Sequence, residues 1–211
     1  MFYLGLDLGQ RQDHSALAIV ERRERGAGQF NYVDWREAQA PERGQLVVRH
    51  LERMELGTPY IDVVRRVVEV VGKPSLGGKK RLVVDATGVG MPVVEMLVAA
   101  RPGCEVMPVM MTGGAAEHHD GRVWLVPKID LMAGLQSLIE REQLGIARRM
   151  RESGRLVKEL MSVTATVRKS RRLRVGAEGS GDHDDVVVAV ALACWAAGKA
   201  TVGLKGPRLF W

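Results

Sequence analysis

The chain has 211 residues, enough for one domain with a sizeable core and too few for two domains of typical size. Hydrophobic residues make up 46% and charged residues 27%, a composition that excludes a disordered tail and a fibrous repeat. The longest apolar run, 186–198, is shorter than the roughly 20 residues of a membrane span, and the first residues show no secretory signal. We therefore expect one cytoplasmic domain, 1–211, with no membrane partner.

The charge balance favours a polyanionic partner. Lys and Arg number 31 against 25 Asp and Glu, which gives a net charge of +6 and a pI of about 9.6. The two cysteines, Cys104 and Cys194, have neither the number of a disulfide framework nor the spacing of zinc ligands. We expect both to be buried thiols.

The N-terminal part of the chain predicts an antiparallel meander. Residues 2–7 form a short apolar run, residues 15–21 form a second, and residues 29–36 are rich in aromatic and β-branched side chains. Thr58-Pro59 then has the pattern of a helix start, and apolar residues recur at helical spacing up to Gly72.

The middle of the chain predicts a parallel crossover. Residues 81–85 lack polar alternation, as is typical of a strand buried on both faces, and helix 91–100 and strand 105–111 follow. A strand, a helix and a strand in this order pair in parallel. The predicted fold is therefore α/β, with a mixed central sheet of meander and parallel strands flanked by helices.

The last part of the chain predicts two helices, a basic hairpin and a final helix. An apolar stripe marks helix 128–143, and a shorter helix covers 155–161. Strand-like arms between Val163 and Val175 flank a basic turn. A glycine-rich loop then leads into an apolar helix that begins at Asp184 and Asp185.

Acidic residues mark the ends of three predicted elements. Asp7 ends the first strand, Asp85 ends the central strand, and Asp184 and Asp185 begin the last helix. Sites in α/β proteins are built from such ends, and a mixed sheet allows the three to converge. Clustered carboxylates repel one another unless a cation neutralises them, and oxygen ligands select Mg²⁺ or Mn²⁺. Two such ions about 4 Å apart would support phosphodiester hydrolysis.

Each aspartate also has an ordinary structural interpretation. Asp184 and Asp185 complement the dipole of the last helix, and Asp7 and Asp85 suit turns. For one residue alone this interpretation is favoured, whereas the three positions in this order favour a metal site.

Five stretches in register resemble the nuclease domain of phage terminase large subunits, which belong to the ribonuclease H-like (RNase H-like) superfamily. The resemblance covers nearly the whole chain and rests on Gly5-Leu-Asp7-Leu-Gly with Asp13 downstream, Val83-Val-Asp85-Ala-Thr-Gly-Val-Gly90, 106–114, Val126-Pro-Lys128-Ile-Asp-Leu, and Gly181-Asp-His-Asp-Asp185 leading into the apolar 189–193. It implies an RNase H-like fold and a Mg²⁺- or Mn²⁺-dependent endonuclease with two ions.

The resemblance also implies which residues bind metal. They are Asp7, Asp85 and one of Asp184 and Asp185, with Asp185 the first choice. Asp13 either reaches the same ions or only shapes its turn. His183 either orients water or phosphate near the carboxylates or faces solvent as a loop histidine.

A basic segment next to the last acidic motif is the candidate DNA contact. Five positive charges on the predicted hairpin, beside a phosphodiesterase site, favour binding to the DNA backbone over a merely solvated surface, and Lys128 is a further candidate. The hairpin residues are Arg168, Lys169, Arg171, Arg172 and Arg174.

The expected function is cleavage of double-stranded DNA during viral DNA packaging in a bacterial host cell, from a phage or prophage gene. The resemblance implies a packaging ATPase, a small terminase subunit and a portal as partners. The chain begins at the first nuclease strand, so we expect either a domain excised from a longer ATPase-nuclease chain or a free-standing nuclease related to terminases. Two alternatives stay open: a Holliday-junction resolvase-like nuclease and a non-catalytic DNA-binding or assembly module. An actin-like kinase, suggested only by Asp7-Leu-Gly9, would need two related domains.

Overall fold

The computed structural model describes residues 1–9, 13–23, 45–147, 150–169 and 184–200. In these residues one mixed sheet carries helices on both faces. The strands are β1 (Phe2–Asp7), β2 (Ala16–Arg22), β3 (Leu46–Arg53), β4 (Lys80–Asp85), β5 (Glu105–Thr112), β6 (His118–His119), β7 (Trp124–Pro127) and β8 (Leu144–Ile146). The helices are α1 (Tyr60–Val71), α2 (Gly90–Ala99), α3 (Lys128–Glu140), α4 (Ser153–Lys169) and α5 (Asp185–Ala200).

The strand order is β6-β7-β5-β4-β1-β2-β3-β8. β2 pairs antiparallel with β1 and β3, whereas β4 pairs in parallel with β1 and β5, and β7 pairs in parallel with β5. The predicted mixture of a meander and a parallel crossover is confirmed. The C-terminal ends of β1, β4, β5 and β7 consequently share one edge of the sheet.

Two apolar layers hold the sheet between its helices. One face packs Tyr3, Ala16 and Val83 against α5, and the other packs Leu4 and Leu6 against α1 and α2. Side chains alternate along a strand, so odd-numbered residues of β1 face α5. Asp7 therefore lies on the α5 side of the sheet.

Gly5 sets how closely α5 approaches β1. A Cβ atom built on Gly5 would lie 1.9 Å from the carbonyl oxygen of Ala189, a distance that backbone atoms do not tolerate. Glycine at this position allows the backbones to touch. The first turn of α5 is thereby brought over the ends of the central strands.

Two predicted elements are not found as predicted. One falls on residues that the structure does not describe, and the other differs from the structure. The predicted strand 29–36 is outside the described residues, and the third strand of the meander in the structure is β3. The first arm of the predicted basic hairpin is wrong, because α4 runs through to Lys169. β-branched residues cost a helix only a few tenths of a kcal/mol each, so a helix already anchored by buried Leu156 continues through them.

Among the described helices, none is both long enough and apolar enough to cross a bilayer.

Candidate metal centre

The pairing register places Asp7 and Asp85 side by side. β1 and β4 pair in parallel up to Leu6 and Val84, and the two aspartates come one residue later on both strands. Because side chains alternate along a strand, both aspartates point to the face of the sheet that packs against α5. The two carboxyl groups are hydrogen-bonded to each other.

The carboxyl group of Asp7 lies in the most crowded part of this site. Part of the surface of Asp7 is accessible to solvent, but protein atoms surround its carboxyl group. This desolvation is the main reason why the pKa of Asp7 is raised well above the usual range. The negative charges of Asp85, Asp185 and Asp184 raise the pKa of Asp7 further, and Lys128 lowers it. The four predicted carboxylates therefore interact in one place.

Asp85 is held by the turn that follows β4. Its Oδ1 accepts a hydrogen bond from the backbone N–H of Thr87 at 2.9 Å, and the Thr87 hydroxyl in turn accepts the backbone N–H of Met111 at 2.9 Å. A Cβ on Gly90 would lie 2.3 Å from the carbonyl oxygen of Asp85, so only glycine lets α2 begin so soon after the strand. Burial raises the pKa of Asp85, and its Thr87 hydrogen bonds lower it.

Asp184 and Asp185 form ion pairs with different basic side chains. Asp184 precedes α5 and accepts a hydrogen bond from Lys128 Nζ at 2.8 Å. Asp185, the first residue of α5, accepts one from Arg53 Nε at 3.1 Å and is 4% exposed. Lys128 begins α3 directly after β7, at the same sheet edge.

A fifth carboxylate supports this arrangement from α4. Glu159 is buried, and its Oε2 accepts the backbone N–H of Val186 at 3.2 Å. It also accepts a hydrogen bond from the backbone of Val187. Glu159 thus caps the first turn of α5, whose N–H groups have no partner within the helix. Burial and the charge of Asp185 raise the pKa of Glu159 to about 7.

The donor set fits a hard divalent cation. Asp7, Asp85, Asp184 and Asp185 offer only carboxylate oxygens, the ligands preferred by Mg²⁺ and Mn²⁺, and their mutual repulsion is the strain that a cation relieves. With Arg53 and Lys128 engaging two of the carboxylates, no three acidic, histidine or cysteine side chains within the described ranges are grouped closely enough to share one ion. Metal binding would therefore include a reorientation of these carboxylates.

The remaining predicted site residues are placed only in part. Asp13 is exposed in the segment that leads into β2. Arg168 and Lys169 occupy the last turn of α4. Three further predicted DNA contacts and the histidine predicted to orient water or phosphate lie outside the described residues: Arg171, Arg172, Arg174 and His183.

Sequence patterns did not identify Arg53 or Glu159 as site residues. Arg53 ends a strand whose apolar run is broken by Arg49-His50, and Glu159 sits in a helix with many polar residues. The one signal available for Arg53 is its position at the end of a strand, which is where the predicted ligands also lie.

Comparison with known proteins supports the fold. No protein-family model matches the chain, and no curated protein sequence matches it. The structure is similar to the large terminase nuclease from thermophilic phage G20c, with a TM-score of 0.57 and 21% identity over 92% of this chain and 80% of that one. The same nuclease with bound magnesium gives a TM-score of 0.56 and 22% identity over the same shares.

A viral nuclease from another host is also similar. The human cytomegalovirus terminase nuclease domain, soaked with manganese and bound to an inhibitor, has a TM-score of 0.51 and 13% identity, covering 92% of this chain and 81% of that one. These likenesses confirm, for the fold, the resemblance inferred from the five sequence stretches. The chain has the RNase H-like fold of the terminase nuclease domains.

Proposed function

We propose that the protein is a metal-dependent endonuclease that hydrolyses phosphodiester bonds in double-stranded DNA, as the nuclease part of a terminase-type packaging machine. The observation that carries this proposal is the meeting of Asp7, Asp85, Asp184 and Asp185 at one sheet edge, where burial first and then the charges of the other three raise the pKa of Asp7. Carboxylates crowded in this way weaken the fold and are suited to binding cations.

Asp7, Asp85 and Asp185 are the proposed metal ligands, and Asp184 and Asp13 are candidates for further ligation. The G20c nuclease has been solved with bound magnesium and the cytomegalovirus domain after a manganese soak, which favours the same ions here. Two such ions would activate the attacking water and stabilise the leaving oxygen.

The chain's own residues prepare the site for a phosphate. The hydrogen bond from Thr87 fixes Asp85, and the approach of α5 to Gly5 fixes Asp185 over β1. Lys128 adds a positive charge that partly offsets the carboxylates and can meet a phosphate oxygen. Arg168, Lys169, Arg171, Arg172 and Arg174 are proposed to bind the DNA backbone, and His183 to orient water or phosphate.

The proposed partners follow from the proposed function. They are double-stranded DNA, a packaging ATPase, a small terminase subunit and a portal. Binding to DNA through backbone contacts should weaken strongly as salt rises.

The test is cleavage of supercoiled plasmid with Mn²⁺, Mg²⁺ or EDTA by the wild type, Asp85→Asn and Asp62→Asn. Asp62 is a helix residue with a 43% exposed side chain, paired with Arg65 at 2.6 Å, and it serves as the matched control. We expect metal-dependent cutting by the wild type and the control, and none by Asp85→Asn.

The other outcomes identify the alternatives. Wild-type protein that binds DNA but cuts with neither metal would contradict the nuclease and leave a binding or assembly module. A strong preference for four-way junctions over linear DNA would favour a resolvase-like nuclease.

A further inference from the structure

We propose that Arg53 is a positioning residue that fixes the carboxylate of Asp185 for metal binding. The proposal rests on the nuclease function proposed above and adds to it a residue outside the acidic motifs. Arg53 acts through Asp185, and its place in the fold, its burial and its hydrogen bonding support this role.

The sheet places Arg53 in the same row as Asp7. In the register of the meander, Asp7 lies opposite Ala16, and Ala16 lies opposite Arg53. Residues opposite each other in neighbouring strands point to the same face, so the side chains of Asp7 and Arg53 both face α5. Ala16, fully buried between them, contributes only a methyl group. The row therefore has room for a side chain that enters from α5.

Asp185 is the residue that interacts with both ends of this row. Its Oδ2 accepts the hydrogen bond from Arg53 Nε at 3.1 Å, and its charge raises the pKa of Asp7. The side chains of Arg53 and Asp185 are 13% and 6% exposed. A charge-assisted bond so shielded from water holds its geometry far better than a surface ion pair.

The guanidinium of Arg53 has a buried N–H donor that makes no hydrogen bond to any described residue. Nη2 of Arg53 is buried and has no hydrogen-bond partner. A buried donor without a partner costs free energy, so a change that satisfies it is favourable. If one oxygen of Asp185 bound a metal ion, the planar guanidinium of Arg53 could still donate a hydrogen bond to the carboxylate through Nη2.

Glu159 fixes the backbone on which Asp185 sits. It accepts the N–H groups of Val186 and Val187, the two residues that follow Asp185. Glu159 and Asp185 together give two buried carboxylates near one guanidinium. The charge of Arg53 is therefore already neutralised, and its removal should disorder Asp185 more than it relieves repulsion of a metal ion.

The experiment is a double-mutant cycle on Mn²⁺ affinity, measured by electron paramagnetic resonance of free Mn²⁺. The proteins are the wild type, Arg53→Gln, Asp185→Asn and the double variant. Loss of an outer-shell partner weakens metal binding about 10–100-fold, so Arg53→Gln should do so when Asp185 is present. In the Asp185→Asn background the same substitution should change the affinity less than about twofold, because its target is gone.

A conservative variant and a matched control separate positioning from folding. Arg53→Lys keeps the charge without the planar fork, so it should recover little of the affinity lost in Arg53→Gln, whereas a role of charge alone would give nearly full recovery. Arg81→Gln is the control, because Arg81 is also a strand arginine with 19% side-chain exposure, paired with Glu105 at the opposite end of β4. It should leave Mn²⁺ affinity unchanged.

The outcomes distinguish this inference from the nuclease proposal. Equal losses of affinity from Arg53→Gln with and without Asp185, or no loss at all, would overturn the positioning role even if the wild type cuts DNA. Wild-type protein that binds Mn²⁺ without cutting would overturn the nuclease, while the affinity cycle would still decide the role of Arg53. Should Arg53→Gln fail to fold, the cycle is run with Arg53→Lys, and additivity there would overturn the inference.

Discussion

The two ends of α5 each carry a group of charged side chains, and the two groups are built in opposite ways. At the N-terminal end, Asp7, Asp85, Asp184, Asp185 and Glu159 crowd together, and two cations, Arg53 and Lys128, contact them. Burial and, after it, the neighbouring negative charges raise the pKa of Asp7 well above its usual range. Among the described residues, this end has five acidic side chains and two basic side chains in contact with them.

At the C-terminal end, a cluster around Glu117 and Lys199 pairs opposite charges. Glu117 accepts a hydrogen bond from Trp195 Nε1 at 2.9 Å and forms an ion pair with Lys199. Lys199 also lies 5.4 Å from the ring centre of Trp124 and 5.5 Å from that of Trp195. The two tryptophan rings meet edge to face at 5.5 Å. These contacts stabilise the end of the helix and leave no charge uncompensated among them.

A binding site and a stabilising cluster differ in how their charges are balanced. Both groups are polar, partly buried and contributed by several elements of the sheet and its helices. Only at the N-terminal end do like charges lie close enough to oppose folding, and such an arrangement is explained by a ligand more readily than by stability.

Removing one carboxylate at the N-terminal end of α5 should lower activity, whereas removing one at the C-terminal end should not. Asp185→Asn takes away a proposed ligand, so metal-dependent plasmid cleavage should fall by at least about a hundredfold, the upper end of what an outer-shell change costs. Glu117→Gln should leave the cleavage rate within about twofold of the wild type, because Glu117 serves only its own cluster. Similar activity losses in the two variants would show that the two ends do not differ in the way proposed.

Binding of Mn²⁺ at the N-terminal end of α5 should stabilise the protein, and this stabilisation should not depend on the cluster at the C-terminal end of the helix. At a Mn²⁺ concentration of about 100 times its Kd, binding adds about 2.7 kcal/mol to the free energy of unfolding. For a chain of this length that raises Tm by about 5–11 °C, measured by differential scanning calorimetry. The rise should persist in Glu117→Gln and shrink in Asp185→Asn. An unchanged Tm in the wild type at saturating Mn²⁺ would contradict a metal site.

Without metal, neutralising Asp7 should stabilise the protein. The pKa values of Asp7 and Asp85 are raised in the fold, and that of Glu159 is raised from 4.5 to about 7. An acid whose pKa is higher in the folded state holds its proton more tightly there, so stability is lost as pH rises toward the folded value. For Glu159 this loss falls between pH 4.5 and about 7.

Asp7→Asn removes the contribution of Asp7 to this effect. In EDTA at neutral pH its Tm should exceed that of the wild type, by about 2–4 °C for each kcal/mol recovered. The difference between the two proteins should narrow as pH falls, because wild-type Asp7 then becomes protonated. Asp62→Asn, on the exposed face of α1, should show no such gain. A lower Tm for Asp7→Asn at every pH would contradict the crowding of charge at this site.

Sequence patterns predicted the convergence of the acidic residues better than the residues that support them. Asp7, Asp85 and Asp185 lie at the ends of elements whose apolar patterns are clear, so their meeting follows from a mixed sheet. Arg53 ends β3, a strand whose register shifts at a bulge between Ile19 and Val20 of its partner. Such an irregularity depends on tertiary packing and leaves no mark in the alternation of residues.

The predicted basic hairpin shows the opposite kind of error. The β-branched residues between 163 and 167 favoured a strand, whereas α4 extends through them to Lys169. Local propensity is weak compared with packing of the helix that precedes them, where Leu156 and Glu159 are buried. The charges on Arg168 and Lys169 therefore belong to a helix end rather than to a strand arm.

The smallest predicted effect concerns Lys199 at the C-terminal end of α5. Lys199→Met keeps an apolar stem but removes the ion pair with Glu117 and the cation above the two tryptophan rings. The loss should be about 1 kcal/mol, or about 2–4 °C in Tm, because such contacts are worth this much at a partly exposed site. Cleavage should stay unchanged, and Lys158→Met, on the exposed side of α4, should alter neither quantity. A loss of activity in Lys199→Met without a loss of Tm would mean that this end, too, takes part in the reaction, since a purely stabilising cluster acts on unfolding alone.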